Sequence, residues 1–87
     1  MTLDLQQRVR TFLAERFLFD PQAMIDPAES LMAKGILDST GVIELVMFLE
    51  ETFGIRIADD EMLAANLDTI DSITRFVSSK SRERHAA

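Results

Sequence analysis

The sequence predicts an all-α protein: a small four-helix bundle with three longer helices, one short helix and a long first loop. Its 87 residues fit one domain, and 47% of them are hydrophobic, which is enough for a core. Apolar residues recur at helical spacing in three separate stretches. Only Ile55-Arg56-Ile57 alternates like a strand, and no partner strand is evident elsewhere.

The first helix is predicted to run to about Phe17, with Thr2 or Asp4 as its cap. Its apolar stripe at i, i+4, i+7 and i+8 consists of Leu5, Val9, Phe12 and Leu13. A long irregular connection follows, because Asp20-Pro21 and Asp26-Pro27 disfavour helical backbone. Six apolar residues indicate that this connection packs against the core: Leu18, Phe19, Met24, Ile25, Leu31 and Met32.

The second helix is predicted over Ser39–Phe53, and Gly54 should end it, because glycine adopts the left-handed cap conformation at little cost. Its apolar stripe consists of Val42, Leu45, Val46, Leu49 and Phe53. The segment Ile55–Ile57 should be extended, with both isoleucines pointing inward.

Two further helices are predicted after this segment. The acidic run 59–61 favours the start of a short helix that continues through about Ala65. Asp68 or Thr69 would cap the last helix. The buried side of that helix should consist of Ile70, Ile73 and Val77. We expect the domain to span residues 1–78, followed by a flexible polar tail over residues 79–87.

The negative charge is concentrated in the middle of the chain. Between Asp38 and Glu61 there are seven acidic residues and one basic residue, Arg56, which accounts for the whole net charge of −6. Nucleic acid is therefore not an expected partner, because its binding needs a basic surface. An acidic surface attracts basic protein surfaces, although a solvated face without a partner is the more common explanation of charge alone.

Several function classes are disfavoured by what the sequence lacks. There is no cysteine, no metal-ligand motif and no apolar run that could span a membrane. The start of the chain does not resemble a secretory signal, so we expect a cytoplasmic protein. The single histidine, His85, lies in the predicted tail, and Ser39 is not in a G-x-S-x-G elbow. We expect no catalytic residues and no enzymatic activity.

Ser39 stands directly before the second helix, within the stretch Gly35–Gly41. Serine is a favoured helix N-cap, but Asp38 competes for that role and would leave the Ser39 hydroxyl free at the first helical position. A phosphodiester there would be favoured by the backbone N–H groups and the helix dipole. From physical chemistry alone, a plain cap and an attachment site both remain open.

The stretch Gly35–Ser39, followed by Val42–Ile55, closely resembles the acyl carrier protein family, and the resemblance covers about residues 5–78. In that family, the serine of the Asp-Ser pair receives 4′-phosphopantetheine from coenzyme A through a separate transferase. The resemblance therefore implies attachment at Ser39. The lack of cysteine is consistent with it, since the reactive thiol would come from the phosphopantetheine arm.

The resemblance also implies a partner-binding surface, because the second and third helices of the family present acidic residues to basic patches of partner enzymes. The matching acidic positions are Asp38, Glu44, Glu50, Glu51, Asp59, Asp60 and Glu61. Met47 matches an exposed apolar contact of the family, although periodicity equally allows it to fill the core. Thr40 and Gly41 depart from the family pattern at positions that transferases and partners touch, which predicts a specialised carrier.

The favoured interpretation is a monomeric acyl carrier for a specialised lipid or secondary-metabolite pathway, with its cargo held as a thioester. Its partners would be a phosphopantetheinyl transferase, a loading ligase and downstream synthases or transferases. One alternative is a standalone aminoacyl or peptidyl carrier loaded by an adenylating ligase, although Ile36-Leu37 favours the acyl type. Another is a helical adaptor without prosthetic group, in which Ser39 is only a cap. Either a closed core or a cargo cavity is compatible with the apolar residues Val42, Leu45, Leu49, Ile57, Leu63 and Ile73.

Overall fold

The structure, a computed structural model, describes the backbone of residues 2–86 and the side chains of residues 4–81. Within these residues the chain forms four α-helices and no strand. The helices are α1 (Thr2–Phe17), α2 (Ser39–Phe53), α3 (Ala64–Leu67) and α4 (Ile70–Ala86). This architecture confirms the predicted all-α bundle with three longer helices, one short helix and a long first loop.

The long loop between α1 and α2 is irregular but is bonded to the bundle at several points. Arg10 of α1 donates a hydrogen bond from Nη1 to the Ala23 carbonyl at 2.9 Å. The Asp71 N–H of α4 donates to the Pro27 carbonyl at 3.0 Å. Of the six apolar residues expected to pack inward, Ile25 and Leu31 are buried. The other four are exposed, which corrects the expectation for Leu18, Phe19, Met24 and Met32.

The predicted start and end of α2 are confirmed. Asp38 is its N-cap, and Gly54 ends it in the left-handed conformation with φ of 66°, where its N–H donates to the Glu50 carbonyl. The chain then runs extended, and the side chains of Ile55 and Ile57 are buried as predicted. The second helix is therefore bounded by the two capping residues that the sequence indicates.

The predicted short helix from the acidic run through about Ala65 is wrong in its position. Residues Asp59–Glu61 form a single 3₁₀ turn, and α3 begins only at Ala64. The Glu61 carboxylate folds back to accept a hydrogen bond from the Ala58 N–H at 2.9 Å, and the Asn66 side chain donates to the Glu61 carbonyl at 2.8 Å. These side-chain bonds to the backbone close the turn before a continuous helix forms.

The last helix begins as predicted and extends beyond the expected end of the domain. Thr69 Oγ1 accepts a hydrogen bond from the Ser72 N–H at 2.9 Å and so caps α4. The predicted buried side is confirmed, with Ile70, Ile73 and Val77 all enclosed. The backbone is helical to Ala86, where a flexible tail was expected from residue 79. The domain boundary stays a prediction, and the side chain of His85 lies outside those described.

Aromatic rings join α1 to α2 on one side of the bundle. Phe12 and Phe48 stack with centroids 4.1 Å apart, and Phe17 and Phe53 meet this pair edge to face. Such pairs contribute about 0.5–1.5 kcal/mol each beyond their buried area. These contacts hold α2 against α1. The other side of α2 faces α3 and the long loop.

Candidate functional site

The start of α2 places Ser39 at the surface with an unused hydroxyl. Asp38 has extended backbone, and its Oδ1 accepts a hydrogen bond from the Gly41 N–H at 2.7 Å. Of the two residues that compete for the cap, Asp38 is therefore the one whose side chain caps the helix. Ser39 is exposed, and no hydrogen bond to its hydroxyl is found among residues 4–81. A primary alcohol in this state is accessible for esterification.

Backbone N–H groups at the start of α2 make the surroundings of Ser39 suitable for an anion. The first turn of a helix has N–H groups without intrahelical partners, and the helix dipole adds a positive potential there. The Asp38 carboxylate accepts a hydrogen bond from the Gly41 N–H, so the N–H groups of Ser39 and Thr40 are left for other acceptors. A phosphodiester on Ser39 would lie beside these donors.

An apolar cleft of about 320 Å³ opens beside Ser39, between α2, α3 and the long loop. Its lining residues are Met32, Leu37, Ser39, Val42, Ile43, Met62, Leu63, Ala64, Leu67 and Asp68. Of the residues proposed for a cargo cavity, only Val42 and Leu63 line it. The other four belong to the closed core: Leu45, Leu49, Ile57 and Ile73. The contribution of the loop could not be foreseen, because no local pattern shows which helix the loop crosses.

Several of the seven acidic residues have intramolecular partners. Glu44 forms an ion pair with Arg16 of α1. Glu50 Oε2 accepts a hydrogen bond from the Ile57 N–H at 2.9 Å and so holds the extended segment after α2. Both oxygens of Glu61 accept hydrogen bonds from Lys80 of α4, at 2.8 and 2.9 Å. These three carboxylates support the fold in addition to any role in binding.

Three acidic residues remain exposed, with no hydrogen-bond or ion-pair partner among the described side chains: Glu51, Asp59 and Asp60. Asp38 is also exposed, but one of its oxygens caps α2. The acidic surface that the sequence predicts is therefore divided between residues that stabilise the fold and residues that are available to a partner.

Glu61 should make the stability of the protein pH-dependent. Hydrogen bonds from Lys80 and from the Ala58 N–H hold the pKa of the Glu61 carboxyl below its ordinary value. The resulting stabilisation is present above that ordinary value, near pH 4.5, and is lost as the pH falls through the lowered pKa. We expect Glu61→Gln to lower stability near neutral pH, with the difference from wild type shrinking in acid.

Urea denaturation at a series of pH values measures this effect. Glu51→Gln is the matched control, because it removes the same charge from an exposed residue. A Glu61→Gln deficit that persists unchanged in acid would contradict the assignment.

Two of the predicted contact residues, Thr40 and Met47, lie at the surface of α2. Thr40 is exposed, and the Met47 side chain is 54% exposed, so Met47 does not fill the core. Ile43, which was not among the predicted contact residues, is 57% exposed and lies on the same helix face between Ser39 and Met47. Its spacing of four residues from each of them could have revealed it.

Gly41 is buried, which corrects the expectation that partners touch it. A Cβ atom at this position would lie 3.0 Å from Cε1 of Phe17 and 3.2 Å from Cδ1 of Leu37. Glycine therefore allows α1 and the loop to approach the first turn of α2. The departure from the family pattern has a packing reason at this position.

Within residues 4–81, no cluster of three or more potential metal-ligating side chains is present. Over the same described part of the chain, no helix is both long enough and apolar enough to cross a bilayer.

The family described as the phosphopantetheine attachment site matches residues 7–77. The chain belongs to this family. The carrier is 31% identical over 77 residues to an acyl carrier protein of Thermosynechococcus vestitus, which covers 88% of this chain and 91% of the relative. It is 33% identical over 75 residues to a D-alanyl carrier protein of Streptococcus sanguinis, with 86% and 92% covered.

A solved structure supports the same assignment. The crystal structure of an acyl carrier protein from Thermotoga maritima superposes with a TM-score of 0.76 at 26% identity, over 95% of this chain and 93% of that one. The carrier is thus a non-catalytic member of the acyl carrier protein family, its prosthetic group is 4′-phosphopantetheine, and it works with partner enzymes. An exposed serine hydroxyl beside a helix N-terminus and an apolar cleft fits that group.

Proposed function

We propose that this carrier holds an acyl group as a thioester on a 4′-phosphopantetheine arm attached to Ser39 and presents it to partner enzymes of a specialised pathway. The observation that supports the attachment residue best is the exposed Ser39 hydroxyl in the first position of α2, left unused because Asp38 caps the helix. The arm supplies the terminal thiol, which the cysteine-free chain lacks.

Ser39, Asp38 and the residues that line the cleft have different roles in the proposed function. When the transferase acts, Ser39 Oγ loses its proton and attacks the pantetheine-bearing phosphorus of coenzyme A; the phosphoester bond forms as the pyrophosphate bond breaks and adenosine 3′,5′-bisphosphate leaves. The N–H groups of the first turn of α2 stabilise the anionic diester. Asp38 keeps this turn in place by accepting the Gly41 N–H. Val42, Ile43 and Leu63 give the adjacent cleft an apolar lining that suits hydrocarbon cargo.

The partners we propose are a phosphopantetheinyl transferase, a loading ligase and downstream synthases or transferases. Their docking surface would combine the apolar residues beside Ser39 with acidic residues. The candidate contact residues for this surface are Asp38, Thr40, Glu44, Met47, Glu50, Glu51, Asp59, Asp60 and Glu61. The specialised pathway is inferred from Thr40, exposed beside the attachment residue. A cytoplasmic location and a monomeric state stay predictions.

An aminoacyl carrier is the second candidate, and the D-alanyl carrier relative favours it. The two candidates differ in the ligase that loads the arm. Incubation of the modified protein with ATP and either fatty acyl or aminoacyl ligases, followed by intact mass measurement, distinguishes them. The adaptor alternative is disfavoured by the family match.

Intact mass spectrometry tests the attachment residue. The apo protein, incubated with coenzyme A and a broad-specificity phosphopantetheinyl transferase, should gain the mass of one phosphopantetheine. Ser39→Ala should gain none and should remain folded, because the capping side chain is that of Asp38. Thr40→Ala, a truncation of the exposed neighbour, should still be modified.

The absence of modification in wild type would be followed by Thr40→Leu in the same assay. Modification regained by that variant would indicate a dedicated transferase that recognises Thr40. Continued absence of modification would contradict the carrier proposal, and a mass gain in Ser39→Ala would contradict the attachment residue.

A further inference from the structure

Asp68, at the junction of α3 and α4, is bonded to the long loop that precedes α2. Ser30 Oγ donates a hydrogen bond to Asp68 Oδ2 at 2.5 Å, and the Met32 N–H donates to Oδ1 at 2.9 Å. The Leu31 N–H donates to the Asp68 carbonyl at 2.7 Å. Both carboxylate oxygens are thus engaged by a segment more than thirty residues away in sequence.

Capping does not explain this carboxylate. The side-chain cap of α4 is provided by Thr69, whose Oγ1 accepts the Ser72 N–H. Hydrogen bonds from a hydroxyl and a backbone N–H to a carboxylate are charge-assisted and stronger than neutral ones. The observed role of the Asp68 side chain is therefore to connect two parts of the chain.

The bonded segment forms part of the wall of the cleft beside Ser39. Ser30 Oγ also accepts a hydrogen bond from the Ala33 N–H at 3.1 Å. The Leu31 carbonyl accepts hydrogen bonds from the N–H groups of Ile36 and Leu37, at 2.9 and 3.2 Å. These bonds make residues 30–37 a compact turn, and two of its side chains, Met32 and Leu37, line the cleft together with Asp68.

The turn also leads directly into the attachment site. Leu37 is buried and is followed by Asp38 and Ser39, so the position of the turn determines how the chain enters α2. Met32, 47% exposed, lies at the rim of the cleft. A turn released from Asp68 would leave both the rim and this entry less fixed.

We infer that Asp68 is a positioning residue that acts through Ser30 and Met32 to hold the loop wall of the cleft and the approach to Ser39. The effect on modification rests on the proposed function, whereas the effect on the loop does not. Asp68 lines the cleft, and in this role it acts through the loop wall.

Two variants of equal charge separate positioning from electrostatics. Asp68→Ala removes both side-chain acceptors, whereas Asp68→Asn keeps an oxygen for the Met32 N–H and gains an amide that can donate to Ser30 Oγ. In Asp68→Ala, we expect the Met32 and Leu31 amide protons to exchange roughly tenfold faster or more, with Asp68→Asn retaining most of the protection. The Gly54 amide, bonded to the Glu50 carbonyl at the other end of α2, should be unaffected in both.

The second measurement is the kinetics of phosphopantetheinylation. We expect kcat/KM to fall severalfold in Asp68→Ala and to be largely restored in Asp68→Asn, because an imprecisely held serine is less often oriented for reaction. Ser30→Ala, which removes a single hydroxyl, should give an intermediate effect and serves if Asp68→Ala does not fold. Asp26→Ala is the matched control, because within residues 4–81 its carboxylate accepts a hydrogen bond only from the Ala28 N–H of the same loop.

Three results would overturn the inference. Unchanged Met32 exchange in Asp68→Ala would mean that the bond does not hold the loop. Equal kinetic losses in Asp68→Ala and Asp68→Asn would assign the effect to charge. Faster exchange with unchanged modification kinetics would limit Asp68 to a structural role. Failure of both wild type and Thr40→Leu to be modified would refute the proposed function instead, and the exchange measurement would still test the bond.

Discussion

Leu45→Ala should lower the free energy of unfolding by about 2–5 kcal/mol, the range for truncating an enclosed leucine in a core. The Leu45 side chain is completely buried at the centre of α2, so its removal leaves a cavity. Native domains have about 5–15 kcal/mol of stability in total. The variant should therefore lose a large part of its stability.

Urea denaturation followed by circular dichroism measures this loss. Met47→Ala is the matched control on the same helix, since it also truncates an apolar side chain but one that is 54% exposed. We expect the control to differ from wild type by about 0.5 kcal/mol or less. Similar losses in both variants would contradict the assignment of the two residues to core and surface.

Gly41→Val should be the second large loss, because the first turn of α2 has no room for a side chain. The added Cβ would lie 3.0 Å from Cε1 of Phe17 and 3.2 Å from Oδ1 of Asp38. Overpacking costs about 1–3 kcal/mol, and displacement of the Asp38 cap adds about 1 kcal/mol. The better helix propensity of valine offsets only a few tenths of a kcal/mol.

Thr40→Val introduces the same side chain one residue earlier, at an exposed position, and should be nearly neutral. The stability of Gly41→Ala should lie between those of Gly41→Val and Thr40→Val. Its single methyl group makes the tight contacts of a Cβ atom and no others, and alanine gains up to about 1 kcal/mol of helix propensity over glycine. Thermal unfolding of the three variants gives the ranking. Equal stability of Gly41→Val and Thr40→Val would show that the Phe17 ring can move away from the added side chain without loss of stability.

The parts of the fold that were predicted correctly depend on short-range patterns. The α1 and α2 stripes, the start of α2 at Ser39 and the Gly54 stop each involve residues a few positions apart, so they are visible in one sequence. The position of α3 was missed because Glu61 is drawn back to Ala58 and across to Lys80, which lies nineteen residues away.

In the candidate site too, features that depend on neighbouring residues could be predicted, and features that depend on distant residues could not. Ser39 and Met47 were selected through the family resemblance of the α2 sequence, whereas the cleft also needs Met32 and Leu37 from the loop. The burial of Gly41 depends on Phe17, a residue of α1, and the Asp68 bonds join segments far apart in sequence. Attachment at Ser39 and the partner-binding residues stay predictions until they are measured.

The pairing of Glu44 with Arg16 bears on how this carrier would respond to ionic strength. Carboxylates already bonded within the fold change their surroundings little when a basic partner arrives, and exposed charges are screened beyond about 8 Å at physiological salt. A partner that docks on α2 would meet Glu51, Asp59 and Asp60 as its available acids, beside the apolar side chains of Ile43 and Met47. Its dissociation constant would then rise less steeply with added salt than seven free carboxylates would imply.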